Sequence, residues 1–177
     1  PAESEFGEAL LNGDYEPGDY RTDRMVMGAV KLVADGSIQG YTGYLSQPYH
    51  TPYHGDATYR GYPAIPRDKL FAQVLALHRA GYQLAIHGNG DAAIEDILDA
   101  FEAAQQAHPV ADPRMILVHA QMAREDQVAR MKALGVTPSF FSAHTWYWGD
   151  RHRDIFIGPE RAALISPARW AQDHGLR

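Results

Sequence analysis

His87 and His119 are the residues whose type and placement point most directly to chemistry. Each closes a short apolar run, Leu84-Ala85-Ile86-His87 in one case and Met115-Ile116-Leu117-Val118-His119 in the other. Such runs predict buried parallel strands, and the carboxyl ends of parallel strands are where α/β folds build their sites. A lone histidine there more commonly just hydrogen-bonds a loop. Two at equivalent ends of successive strands would put both imidazoles on one rim, and neutral imidazole is a common zinc ligand. A metal pair is the leading expectation, with metal-free acid–base work by the same rings as a rival. Lys31 is the third candidate, because it interrupts the apolar run Met25 to Ala34. A bare ammonium is costly to bury, so Lys31 must face out of an edge, pair with a carboxylate such as Asp35, or serve a function.

The elements that must position these side chains alternate. A strand over residues 25–34 precedes a helix from Pro66-Arg67-Asp68 to Gly81, with Leu70, Phe71, Val74, Leu75 and Leu77 on its buried side. After the His87 strand, glycines 88 and 90 allow a tight turn. Asp91 then caps a helix or favours its positive end, and Ile94, Ile97, Leu98 and Phe101 recur at helical spacing. The His119 strand leads to a helix with Val128, Met131 and Leu134, closed by Gly135, and then to a strand near Val136–Phe141 that Pro138 limits. Ser166-Pro167 reads as an N-cap and first helical position for a last helix through His174. His78 and His108, on or at the ends of helices, read as surface residues. Residues 1–24 read mostly as loop, with a short helix near Phe6 to Leu11. The fold class is α/β, and the order amounts to about half of a (β/α)8 TIM barrel, which when complete needs about 250 residues.

Two segments stand outside this alternation. Residues 40–66 hold six of the ten tyrosines, including Tyr44, with His50 and His54. A loop of that length is usually functional or disordered, and tyrosine gives rigid contact area with a polar tip. A lid or substrate-lining loop is expected, against an excursion that merely packs on the barrel top. Ser142–His152 is aromatic, with Trp146-Tyr147-Trp148, and reads as a substrate-contacting loop. His144 within it either binds substrate or supports the loop.

Composition narrows the classes. The 177 residues are 45% apolar and 21% charged, ordinary for a globular chain able to bury a core. A net charge of -6 disfavours a non-specific nucleic-acid binder. No apolar stretch is long enough to cross a bilayer, and the acidic start is unlike a signal peptide. The absence of cysteine excludes disulfides and thiolate sites, and it fits a cytoplasmic setting. The first residue is not methionine and the chain stops straight after a helical pattern, which suggests a piece of a longer product.

Taken together, Lys31 within Val30-Lys31-Leu32-Val33-Ala34-Asp35-Gly36, His87 within Ala85-Ile86-His87-Gly88-Asn89-Gly90-Asp91 and His119 within Val118-His119-Ala120-Gln121 resemble strands four, five and six of the amidohydrolase superfamily. The branch they resemble most includes N-substituted formamide deformylases. The resemblance runs from about residue 25 to the end, giving strands four to seven with their helices. It implies that His87 and His119 bind one divalent metal, zinc being the expected ion. Lys31, carboxylated by carbon dioxide, would bridge it to a second. It also implies hydrolysis of an amide-type C–N bond by a metal-bound hydroxide, with a small-molecule substrate contacted by His144, Trp146 and Tyr44. The family's His-x-His pair on strand one and aspartate on strand eight have no counterpart here. Both would lie outside the chain, and Asp150 and Asp173 sit in patterns that do not match the aspartate. The isolated chain is therefore expected to be inactive. The rival from another class is a non-catalytic half-barrel that associates with itself, as a homo-oligomer, or with the missing half.

Overall fold

The computed structural model describes residues 4–176. Four short strands, β1 (Val30–Val33), β2 (Leu84–Gly88), β3 (Ile116–His119) and β4 (Thr137–Phe140), pair in parallel in sequence order. Helix α1 (Glu5–Asn12) precedes them. Helices α2 (Arg67–Arg79), α3 (Asp91–Ala107) and α4 (Glu125–Leu134) make the crossovers. The chain then runs through α5 (Ala143–Arg151), a π-helical turn (His152–Phe156), α6 (Gly158–Ala162) and α7 (Ala168–Asp173). Among the described residues no helix is long and apolar enough to cross a membrane.

Alternation along the strands decides which side is covered. Leu32, Leu84, Ile86 and Leu117 point into the helices and are buried, with Leu70, Val74, Leu77, Ile94, Ile97, Leu98, Phe101, Val128 and Met131 in the same core. Each such side chain contributes roughly 1.5–3 kcal/mol on burial. Lys31, Val33, Ala85, His87, Ile116 and Val118 lie on the other face and remain half-exposed. Pro138 lies in β4, at the margin of the four described strands, in register with Leu117. Residues 25–29 lie outside the ladder, so the first strand is shorter than its apolar run predicts. The short helix expected near Phe6 to Leu11 is α1.

An ion-pair ladder laces the outer faces of α2, α3 and α4. Arg130 bonds Asp99 at 2.7 Å and Glu102 at 2.8 Å and also reaches Glu95; Arg124 meets Glu95 at 2.6 Å, and Arg67 reaches Asp96 and Asp99. These groups are partly solvated, so Arg130→Ala is expected to cost about 1 kcal/mol in urea unfolding at low salt. The loss should shrink at high salt; an equal loss there would assign the effect to the packed arginine stem instead of its charge.

Three local expectations change. His78 is buried, its Nε2 2.8 Å from the His108 carbonyl oxygen where the ends of α2 and α3 meet, while His108 is exposed. The aromatic stretch after β4 is helical. His144, Trp148 and His152 recur four residues apart and turn inward, while Trp146 is 84% exposed. Ser166 does not cap α7. It sits in the left-handed region at φ 51°, its backbone N–H donates to the Gln121 carbonyl, and Pro167 occupies the cap.

The tyrosine-rich segment has a small core of its own, made of Ile38, Leu45, Tyr49, Phe156 and Ile157. Tyr41 stacks on Tyr53 at 4.7 Å and meets Phe156 at 5.1 Å. The backbone N–H groups of His50 and Thr51 donate to the carbonyls of Phe156 and Ile155, tying the segment to the π-helical turn.

Candidate metal centre

His87 reaches the half-exposed face by alternation, since its neighbour Ala85 pairs with Lys31 and Ile116. His119 does not. It shares the parity of Leu117, which faces the helices, so a regular strand would bury its ring among them. Instead His119 and Ala120 both take left-handed backbone, at φ 73° and φ 46°. The side chain swings back, and its ring lies 4.8 Å from that of His87. Two non-glycine residues in that region cost about 1–3 kcal/mol each, and such strain persists where surrounding contacts over-determine it.

His144, from α5, places its ring 5.2 Å from His119. Phe141 closes the group, 5.8 Å from His119 and 4.9 Å from His144. Asp35 does not pair with Lys31. It is fully buried and accepts the backbone N–H groups of Tyr44, Asn89 and Gly90, each within 2.9 Å. Burial pushes its carboxyl up to about 7 against the pull of those three donors. It is 3.5 Å from Nε2 of His87, which also lies 3.2 Å from the Gly36 carbonyl and 3.0 Å from the Asn89 amide nitrogen. All of these contacts fall on Nε2. The two acceptors, Asp35 and the Gly36 carbonyl, call for the proton on Nε2, which leaves the lone pair of Nδ1 to bind a cation; the Asn89 amide nitrogen is itself a donor, to the Gly36 carbonyl at 2.8 Å, and takes no proton from the ring.

Electrostatics keep the rings neutral. Burial lowers the pKa of His87, and of His119 to about 4, with neighbouring imidazoles and Lys31 adding to the fall at His119. Burial lowers His144 as well, and takes His152 to about 4. Lys31 is lowered by burial alone, and among the described residues it has no ion-pair partner.

A stability prediction follows from His152. Its folded value, about 4, lies below the ordinary 6.5, so the unfolded chain takes up the proton first as pH falls. Its contribution is complete above about 6.5 and is lost as pH drops toward about 4. Urea midpoints across that window should fall in the wild type and fall less in His152→Phe. Parallel profiles would mean that another group carries the acid sensitivity.

The donors available fit part of a divalent ion's needs. His87 offers Nδ1, and Nδ1 of His119 is buried with no partner among the described residues. Lys31 shares the His87 face. Among the described residues no three histidine, aspartate or glutamate side chains gather as a ligand set. Tyr44 and Trp146 have no ring contact with the imidazoles: Arg60 covers Tyr44 at 5.6 Å, and Trp146 lines an open groove of about 970 Å³ between α5 and α7. Phe141, Asn89, Gln121 and His152 escape a sequence reading. The spacing of His144, Trp148 and His152 was the available signal for the last.

The model of the amidohydrolase family matches residues 9–177. N-substituted formamide deformylase of Arthrobacter pascens is 28% identical over 151 residues, covering 85% of this chain and 26% of its own length. Protein LONG AFTER FAR-RED 3 of Arabidopsis thaliana is 28% identical over 135 residues, 76% of this chain and 22% of that protein. The crystal structure of an uncharacterized metal-dependent hydrolase from Pyrococcus furiosus superposes with a TM-score of 0.77 at 27% identity, over 94% of this chain and 33% of that one. The chain thus spans about a quarter of the curated relatives it matches.

Proposed function

The chain belongs to the amidohydrolase family, and from that membership we propose that it is part of a metal-dependent hydrolase that cleaves an amide-type C–N bond in a small molecule. The observation that carries this reading is the meeting of His87 and His119, rings 4.8 Å apart, at the ends of adjacent parallel strands. In the proposal β1 to β4 are strands four to seven of an eight-stranded barrel, and the remaining ligands come from outside these residues.

Zinc is the proposed ion, one or two in number, held by His87, His119 and a carboxylated Lys31. Such an ion supplies Lewis acidity and makes water acidic enough to react near neutral pH. The protein's own groups prepare the place. Asp35 and the Gly36 carbonyl, both acceptors, fix the His87 ring through Nε2. The lowered pKa of Lys31 raises its share of neutral amine, the form that adds to carbon dioxide with release of a proton, and the carbamate would put an anion that metal ions stabilise where a half-buried cation stood. His144 and Phe141 wall the imidazoles and exclude water from one side. His144 is assigned a hydrogen bond to substrate. Trp146 is assigned to a more distant apolar group through the groove that it lines, Tyr44 through its place after the Lys31 strand, and residues 40–66 form the wall or lid above.

The test is to load the full-length protein with zinc and assay it on a panel of aliphatic and aromatic N-acyl compounds. Zinc-dependent release of amine supports the reading. Full activity after exhaustive chelation would overturn it, and equal turnover across the panel would remove the apolar subsite. Efficient amide hydrolysis by the 177-residue chain alone would refute the partial site.

A further inference from the structure

We propose that Gln121 and His152 form a positioning pair that holds the left-handed turn at His119–Ala120 and so aims the His119 ring at the site, an inference that rests on His119 being a metal ligand. Gln121 follows the turn directly, and both it and His152 are fully buried. The side-chain amide of Gln121 donates to Nε2 of His152 at 2.9 Å. The Gln121 carbonyl accepts the Ser166 N–H at 2.7 Å, and the Met122 N–H donates to the Asn89 carbonyl at 2.9 Å. The peptide after the turn is therefore tied to the π-helical turn, to the residue before Pro167 and α7, and to the loop that follows His87. That is the over-determination which strained backbone requires.

Filling space alone does not account for the pair. Gln121 Oε1 and His152 Nδ1 are buried with no partner among the described residues. An apolar pair of the same shape would fill the volume without that desolvation. What the polar pair adds is direction, fixing the chain just beyond β3 against a segment 31 residues further along. Neither residue is catalytic, because both act through His119.

The test uses the full-length protein carrying Gln121→Met, which keeps the length and deletes the bond, or His152→Phe. Zinc dissociation constants from chelator competition are expected to rise about tenfold or more in each, as for other residues that support metal ligands. The double variant should lose no more than either single one, since the two act as a unit. His152→Gln retains a hydrogen-bonding side chain and should recover most of the affinity. Val128→Ala, a core change on α4, should lower the melting temperature and leave zinc affinity unchanged. Wild-type affinity in both Gln121→Met and His152→Phe would overturn the proposal. A crystal structure of Gln121→Met decides independently of metal: a retained left-handed turn, with the His87 and His119 rings still in contact, refutes positioning. If the wild type binds no zinc, it is the site reading that fails, and this structure alone judges the pair.

Discussion

Gly90→Ala is expected to abolish the folded state of the chain, not merely to weaken it. A Cβ at Gly90 would stand 1.8 Å from the Tyr44 carbonyl oxygen, 2.4 Å from its carbon and 2.8 Å from the Tyr44 nitrogen. All three are backbone atoms, so no rotamer change relieves the clash. Neither segment can retreat cheaply, because Asp35 holds both by accepting N–H groups from Tyr44 at 2.9 Å and from Gly90 at 2.8 Å. The φ of Gly90 is -77°, so space and not left-handed freedom is what demands glycine there. The loss should exceed about 4–5 kcal/mol, comparable with the whole stability of many domains. Circular dichroism and solubility would read it directly. Gly18→Ala, where nothing lies within 4 Å of the added atom, is the control. A Gly90→Ala chain melting close to wild type would show that the Tyr44 backbone can shift.

The second large effect is on chemistry. His119→Ala in the full-length protein should lose zinc occupancy and slow hydrolysis on the order of a thousandfold, the rate equivalent of several kcal/mol of electrostatic stabilisation. The fold should survive, since the ring leaves a buried Nδ1 unpartnered and its removal relieves that desolvation. Zinc content by plasma emission and turnover of an N-acyl substrate are the two readouts. Wild-type values for both would take this imidazole out of the site, whatever the family pattern implies.

Much of the frame was legible because burial imposes periodicity. Leu84 and Ile86 on the sheet, and Ile94, Ile97, Leu98 and Phe101 on α3, reveal themselves through spacing set by geometry. The histidines were legible as residues at strand ends. How His119 joins His87 was not, because strict alternation sends it to the wrong face and only two strained dihedrals return it. Asp35 stands in the sequence as one of several explanations for Lys31, a candidate counter-ion, yet it serves three backbone donors from the Tyr44 and Asn89 segments, partners remote in sequence that no local pattern announces. The helical form of α5 was hidden by its aromatic content, although His144, Trp148 and His152 kept the step of a helix face.

The joint between the tyrosine-rich segment and the π-helical turn bears on how new specificities could be grafted into this scaffold. Leu45 and Tyr49 share one small core with Phe156 and Ile157, and two backbone hydrogen bonds stitch the edges together. A chimaera that imports either segment from a relative would leave half of that core facing foreign side chains. Diversification here should proceed by exchanging both as a matched cassette, and substitutions at Tyr41 should co-vary with those at Phe156, whose ring it meets.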